Sequence, residues 1–390
     1  MQELYINTAE GLTQLCDTLR DSPWLALDTE FVREKTYYPR FCLLQISNGE
    51  VAAGIDPLAL DDLSPLLEIL YNTDTTKVFH AGRQDLEIFY NLWGKLPTPL
   101  FDTQLAASLL GFGDQVGYGG LVKEVLGIEL AKGHARTDWS IRPLQEAQLR
   151  YALDDVIYLC DLYLQLKKRL EHQGRDRWLQ KDFDYLAEPT TYVITAEDAW
   201  RRVKGRQNLK GVQLAILQIL AGWRESEAQR ADKPKRWIVK DEVLIDLARR
   251  RPKDLQQMEQ IRGLEVGTIK RRGDALLKLL DEGAEIPREQ WPQEKARPPR
   301  LSHNQEAMTD LLTCCLRLLA DENDISHNAL GNRKELERLV SGDRELAILH
   351  GWRSSLAGDK LLQVLEGELR PVIQGGVLIL QSEQSQHSAE

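Results

Sequence analysis

Two acids two positions apart, Asp28 and Glu30, close an apolar run, Leu25-Ala26-Leu27, that reads as a buried strand. Side chains alternate across a strand, so both carboxylates project to one side and share a small volume. Like charges that close need a cation or a proton between them; a pair of solvated acids at a strand end is the plainer alternative. Further acids strengthen the metal reading. Asp85 opens a helix after the strand Lys77-Val78-Phe79-His80, although an acid there also suits the helix dipole. Asp155 lies one helical turn beyond Tyr151 on the same face, with Asp154 pointing away. Asp28, Glu30, Asp85 and Asp155 offer only oxygen donors, which suits Mg²⁺ or Mn²⁺ rather than zinc. Four carboxylates converging on one pocket would hold two such ions roughly 3.5–4 Å apart, the arrangement for in-line displacement at phosphorus. One ion would lower the pKa of an attacking water and the other would neutralise the leaving oxygen. Tyr151 could hydrogen-bond that water and aim it.

Periodicity supplies the elements that must carry these residues. Strands are predicted at residues 3–7, 24–29, 41–47 and 51–55, the last three as an antiparallel meander, with a helix at 8–19. Beyond Pro57 helices and strands alternate: helix 60–71, strand 77–80, helix 84–92, strand 100–102, helix 103–110. The implied fold is a mixed sheet flanked by helices. Gly111 to Gly120 holds five glycines in ten residues and is predicted as a mobile loop near the site. A short helix at 121–126 follows, and a long one runs from about Gln145 to Leu170, placing Tyr151 and Asp155.

The rest of the chain is helical with little strand signal. Residues 185–210 form a first boundary, and a proline-rich linker, Ile286-Pro287 to Pro298-Pro299, a second; helices resume from His303 to about Glu368. The expected domains are 1–195, 208–288 and 296–372, with a polar tail at 373–390. The net charge of −10 is unevenly spread. Residues 1–195 carry 18 Lys and Arg against 29 Asp and Glu, residues 196–290 carry 21 against 16, and residues 291–390 carry 11 against 15. An acidic domain beside a basic one suits metal ions in the first and a polyanion on the second. No apolar run reaches the length of a bilayer span, and the N-terminus has no secretion-signal pattern, so a cytoplasmic protein is expected. Five cysteines fit no metal spacing and read as reduced core residues.

Asp28-Thr29-Glu30 in a strand, Asp85 in His80-Ala81-Gly82-Arg83-Gln84-Asp85, and Tyr151-x-x-x-Asp155 resemble the three exonuclease motifs of the DEDD superfamily, tyrosine subclass. Within it, Phe101-Asp102-Thr103-Gln104-Leu105-Ala106-Ala107 and Thr137-Asp138-Trp139-Ser140-Ile141-Arg142-Pro143-Leu144 resemble stretches of the bacterial ribonuclease D family. The resemblance covers nearly the whole chain. It implies a ribonuclease H-like α/β domain followed by two small all-α HRDC domains, the first basic and RNA-binding, the second divergent. The activity it implies is a 3′→5′ exoribonuclease, using two divalent ions, that trims tRNA precursors and other small structured RNAs to nucleoside 5′-monophosphates. By the family pattern Asp28, Glu30 and Asp155 bind the first ion, Asp28 and Asp85 the second, and Tyr151 orients the water. A DNA 3′→5′ exonuclease of the same fold and a non-catalytic RNA 3′-end scaffold are the alternatives; a monomer is expected.

Other residues carry two readings each. Asp102 suits a helix cap better than a fifth ligand. His80 and His134 are structural or substrate-contacting. Gln45, on the strand beside Asp28, touches the terminal nucleotide or fills an alternation slot, and Arg83 and Arg142 meet phosphates or solvent. Four basic clusters, Arg201 to Arg206, Lys233-Pro234-Lys235-Arg236-Trp237, Arg249-Arg250-Arg251 and Lys270-Arg271-Arg272, fit phosphate contacts by the middle block, with Lys233, Lys235 and Arg236 the chosen candidates. Asp321-Glu322-Asn323-Asp324 reads as a polar turn and not a calcium loop.

Overall fold

A computed structural model describes residues 1–131, 133, 137–294 and 300–382. The N-terminal domain is built on a six-stranded mixed sheet. Its strands are β1 (Gln2–Ile6), β2 (Trp24–Val32), β3 (Arg40–Ser47), β4 (Val51–Ile55), β5 (Thr76–Phe79) and β6 (Leu100–Asp102), in the order β1-β4-β3-β2-β5-β6. The meander β2-β3-β4 is antiparallel, and β1, β5 and β6 join in parallel at its flanks. Helices α1 (Ala9–Leu19), α2 (Ser64–Leu70), α3 (Arg83–Trp93), α4 (Thr103–Ser108) and α5 (Tyr118–Leu126) fill the connections. The long α6 (Glu146–His172) crosses the sheet, and α7 (Gln180–Leu186) follows.

Alternation along β2 decides what α6 meets. Leu25 and Leu27 go to the main core on one face, while Ala26 packs with Leu153, Val156 and Leu159 of α6 on the other. Asp28 and Glu30 continue the Ala26 face, so their carboxylates lie under α6. Small residues on that face, Ala26, Ala52 and Gly54, let the helix approach: a Cβ on Gly54 would come within 3.0 Å of Leu149. The glycine-rich segment is shorter as a loop than expected, because α5 starts at Tyr118 and takes in Gly119 and Gly120. Tyr118 anchors this start by donating to the Asp154 carbonyl at 2.9 Å.

Two helical modules follow. The first contains α8 (Val212–Arg230), α9 (Lys235–Ile238), α10 (Asp241–Arg250), α11 (Leu255–Met258) and α12 (Val266–Glu285) around a core of its own. The expected boundary at 185–210 is partly inside that core, because Ala199, Trp200, Val203 and Leu209 are buried in it. The second module contains α13 (His303–Asp321), α14 (His327–Leu330), α15 (Arg333–Val340), α16 (Gly351–Arg353) and α17 (Asp359–Glu366), and its core is continuous with that of the N-terminal domain. The Asp321-to-Asp324 segment is a helix end, with Asn323 Nδ2 donating to the Leu319 carbonyl at 2.7 Å. The expected tail from 373 instead begins inside a hairpin of β7 (Leu369–Gln374) and β8 (Val377–Ser382), turned by Gly375 and Gly376 at φ of +59° and +83°. Residues 383–390, His134 and Pro298-Pro299 lie outside the described residues. Among the described residues no helix is long and apolar enough to cross a membrane.

Candidate active site

Carboxylate oxygens of Asp28, Glu30 and Asp155 lie within 4.8 Å of one another, two from the end of β2 and one from α6. Asp85 is outside this trio, in the first turn of α3, and is the most deeply buried of the four at 7% exposed. The Thr29 hydroxyl, which projects from the opposite face of β2, donates to Asp85 Oδ1. Strand β2 thus carries two of the acids and fixes a third. The turn ahead of α3 is shaped by Asp102, whose carboxylate accepts from the Ala81 and Gly82 amides at 3.2 and 3.0 Å and also caps α4 through Gln104 and Leu105. Gly82 is required there, since a Cβ would meet Phe79 at 2.5 Å.

Removal from water and mutual repulsion act together on the four acids. Desolvation, followed by Asp85, Asp155 and Glu30, holds the Asp28 carboxyl well above the usual range. Glu30 is pushed up to about 9 by burial and then by Asp155 and Asp85. Burial raises Asp155 to about 7, with Asp154 and Asp85 adding to it, and raises Asp85 to about 6 against the lowering effect of Thr29. Such a cluster near neutral pH retains protons or takes up cations. All-oxygen donors on rigid elements fit hard divalent ions, and the site is one for divalent metal.

Tyr151 lies on the face of α6 that carries Asp155, and its ring stacks on the buried Trp139 at 6.2 Å between centroids. Burial and the three nearby acids raise its hydroxyl to about 12, so the phenol stays protonated. Asp154 is turned aside, where Arg150 bonds it and also reaches Glu3 at 2.6 Å. Thr29, Trp139 and Tyr118 are site neighbours that sequence reasoning did not select.

The residues expected to touch substrate part company. Arg83 is exposed on α3, two residues before Asp85. Arg236 is exposed on the first module, as is Lys233. Arg142 is held inside the N-terminal domain, bidentate to Asp56 at 2.6 and 2.8 Å and donating to the Cys42 and Trp139 carbonyls. His80 has both ring nitrogens engaged, with Thr103 Oγ1 and the Val116 carbonyl, each at 3.0 Å. Lys235 pairs with the buried Glu225 at 3.2 Å. Gln45 stands opposite Asp28 in the β2–β3 register, fully buried, so its carboxamide has no route to a nucleotide in this conformation.

Beside α3 a cleft of about 1180 Å³ separates the N-terminal domain from the first module. Arg83, Tyr90 and Tyr192 line one wall, and Arg202, Lys204, Arg236 and Lys240 the other, with Glu34, Glu87, Asp241 and Glu242 also present. Arg83, Arg202, Lys204, Arg236 and Lys240 make no salt bridge among the described residues, whereas Arg33 and Arg224 are paired with Glu87 and Asp241. Unpaired cations interleaved with tyrosines suit a strand that offers phosphates and stacking bases.

A family model described as a 3′-5′ exonuclease matches residues 4–171, and an HRDC domain model matches residues 213–280. Ribonuclease D of Bartonella henselae is 40% identical over 356 residues, covering 90% of this chain and 87% of that one. Ribonuclease D of Sphingobium indicum is 40% identical over 378 residues, covering 96% and 97%. Among solved structures, Escherichia coli RNase D, an exoribonuclease involved in structured RNA processing, superposes with a TM-score of 0.80 at 34% identity, covering 94% of this chain and 99% of its own. With the acidic site, the sheet that builds it and the helical region behind it all accounted for, the chain belongs to the ribonuclease D family of 3′→5′ exoribonucleases.

Proposed function

We propose that this enzyme trims the 3′ ends of tRNA precursors and other small structured RNAs, one nucleotide at a time, releasing nucleoside 5′-monophosphates with two Mg²⁺ or Mn²⁺ ions. The observation that carries the reading is the trio of carboxylates within 4.8 Å, with a fourth acid fixed beside it by Thr29. In this reading Asp28, Glu30 and Asp155 hold one ion, and Asp28 and Asp85 the other. When bound, the pair supplies a water of lowered pKa and neutralises charge on the leaving oxygen. Tyr151, protonated and braced by Trp139, accepts or donates a hydrogen bond to the water and points it at phosphorus. The buried run Leu25-Ala26-Leu27 of β2 excludes bulk water from behind the acids. The basic cleft receives the body of the RNA, with Arg83 of α3 on one wall and Arg236 on the other, and Lys233 exposed on the same module as Arg236. A monomer in the cytoplasm is part of the same proposal; the five cysteines are free thiols, which suits a reducing compartment.

The test is degradation of a 5′-labelled, 3′-extended tRNA transcript by the intact protein and by Asp155→Ala, with Mg²⁺ or with EDTA. Stepwise shortening only with metal and only with Asp155 present is expected. Intact RNA beside shortened single-stranded DNA would overturn the substrate assignment.

A further inference from the structure

The loop joining β2 to β3 ends on the first helical module. The backbone N–H groups of Tyr37 and Tyr38 both donate to Asp232 Oδ1, each at 3.0 Å. The Tyr37 hydroxyl donates to the buried carboxylate of Glu225 and accepts from Gln229 Nε2 at 3.2 Å. Lys235 neutralises the same Glu225, and the Tyr37 ring packs on the module's core. Behind the loop, Arg33 pairs with Glu87 of α3 at 2.9 Å. One short loop therefore ties α8 and the turn after it to two of the three elements that carry the acids, β2 and α3. The contact lies at the edge of the basic cleft, which Tyr37 and Tyr38 help to line.

We propose that this loop is a positioning latch: Tyr37 and Tyr38, held by Glu225 and Asp232, fix the width of the cleft and so set affinity for RNA long enough to cross it. The inference rests on the RNA-trimming reading above. Directional bonds to charged acceptors hold the module at one distance, and its cations stay placed for phosphates. With the latch open the same cations hang on a linker and must be ordered when RNA binds. A dinucleotide that occupies only the acid site does not sense the difference. A register shift between Glu30 and Phe31 separates the latch from the metal-binding end of β2.

The turn residue gives the cleanest test. Asp232 has φ of +45°, so Asp232→Gly removes the carboxylate without straining the backbone, and Asp232→Asn keeps an oxygen for both amides. In the full chain, Asp232→Gly should raise KM for a 3′-extended structured RNA about tenfold with kcat little changed, while Asp232→Asn stays near wild type. Hydrolysis of a dinucleotide should be unchanged in both. Removing an acid beside a basic cleft would by charge alone tighten RNA binding in both variants, and that result would overturn the latch. Equal loss on the dinucleotide would also overturn it, since the loop would then act on the acid site itself. Wild-type protein that spares RNA and shortens DNA defeats the proposed substrate instead, and the same KM comparison on the DNA strand still decides the latch.

Discussion

Trp352 of the second module stacks on Trp178 of the N-terminal domain at 4.8 Å and donates to its carbonyl, and Leu312, Leu316 and Leu319 belong to the same apolar core as Leu27 and Phe89. The first module keeps its own core and meets that domain largely through Tyr37, Glu225 and Asp232. Apolar contact is non-directional, grows with area and is not screened by salt. A small polar contact is directional and opens at lower free energy. One helical block is thus welded to the catalytic domain as a buttress, and the other is hinged on hydrogen bonds at the edge of the cleft. The glycine-rich loop takes part in the weld: Asp114 accepts from Ser326 and Asn328, and Gly111 lies against Asp324, where a Cβ would meet the carbonyl oxygen at 3.1 Å.

The largest effects should come from breaking the two cores separately. Leu316→Ala and Leu217→Ala each empty a fully buried site, at a cost of about 2–5 kcal/mol. Calorimetry should show Leu316→Ala lowering the transition in which exonuclease activity is lost, and Leu217→Ala lowering a different one. A single transition that moves equally in both variants would remove the distinction between weld and hinge.

Metal sharpens the same comparison. Mg²⁺ at a hundred times its Kd should stabilise the transition of the N-terminal domain by about 2.7 kcal/mol and leave that of the first module in place. In EDTA the two should also differ in pH dependence. Asp85, Asp155 and Glu30 are raised to about 6, 7 and 9, so each binds its proton more tightly folded than unfolded. Their contribution is complete in acid and is lost as pH rises through those values. The Tm of the metal-free N-terminal transition should therefore fall between pH 6 and 9. Asp28→Asn should lessen the fall by removing one charge, while reducing activity on the order of 10³-fold. A Tm that rises over this range would refute the crowding of acids.

The sequence made the acid site legible because it is local. Asp28 and Glu30 follow from strand alternation, and Tyr151 and Asp155 from one helical turn. Asp85 counted only together with the other three acids, because an acid in the first turn of a helix is common for its own sake. What sets the helical modules against the N-terminal domain was hidden by distance along the chain: Tyr37 meets Asp232 across 195 residues, and Asp114 meets Ser326 across 212. Arg142 could not be told from a surface arginine without Asp56, 86 residues away. The final hairpin is a different case. Val372-Ile373-Gln374-Gly375-Gly376-Val377-Leu378-Ile379 carries a Gly-Gly turn between apolar runs, a local signal obscured by the polar residues that follow.

The smallest expected effect tests whether RNA uses the hinged module alone. Withdrawing one protein cation from the phosphates of a single strand should reduce the slope of log K against log salt by about 0.7. Arg236 lines the cleft without a salt bridge among the described residues, so Arg236→Ala should show that reduction with the dinucleotide reaction unchanged. Lys334, exposed on α15 of the second module, should give no change when replaced by alanine. Fluorescence anisotropy of a labelled 3′-extended RNA across a salt series measures both. If Lys334→Ala lowers the slope as much as Arg236→Ala, the RNA path crosses the buttress as well as the hinge, and the division of labour between the two modules fails.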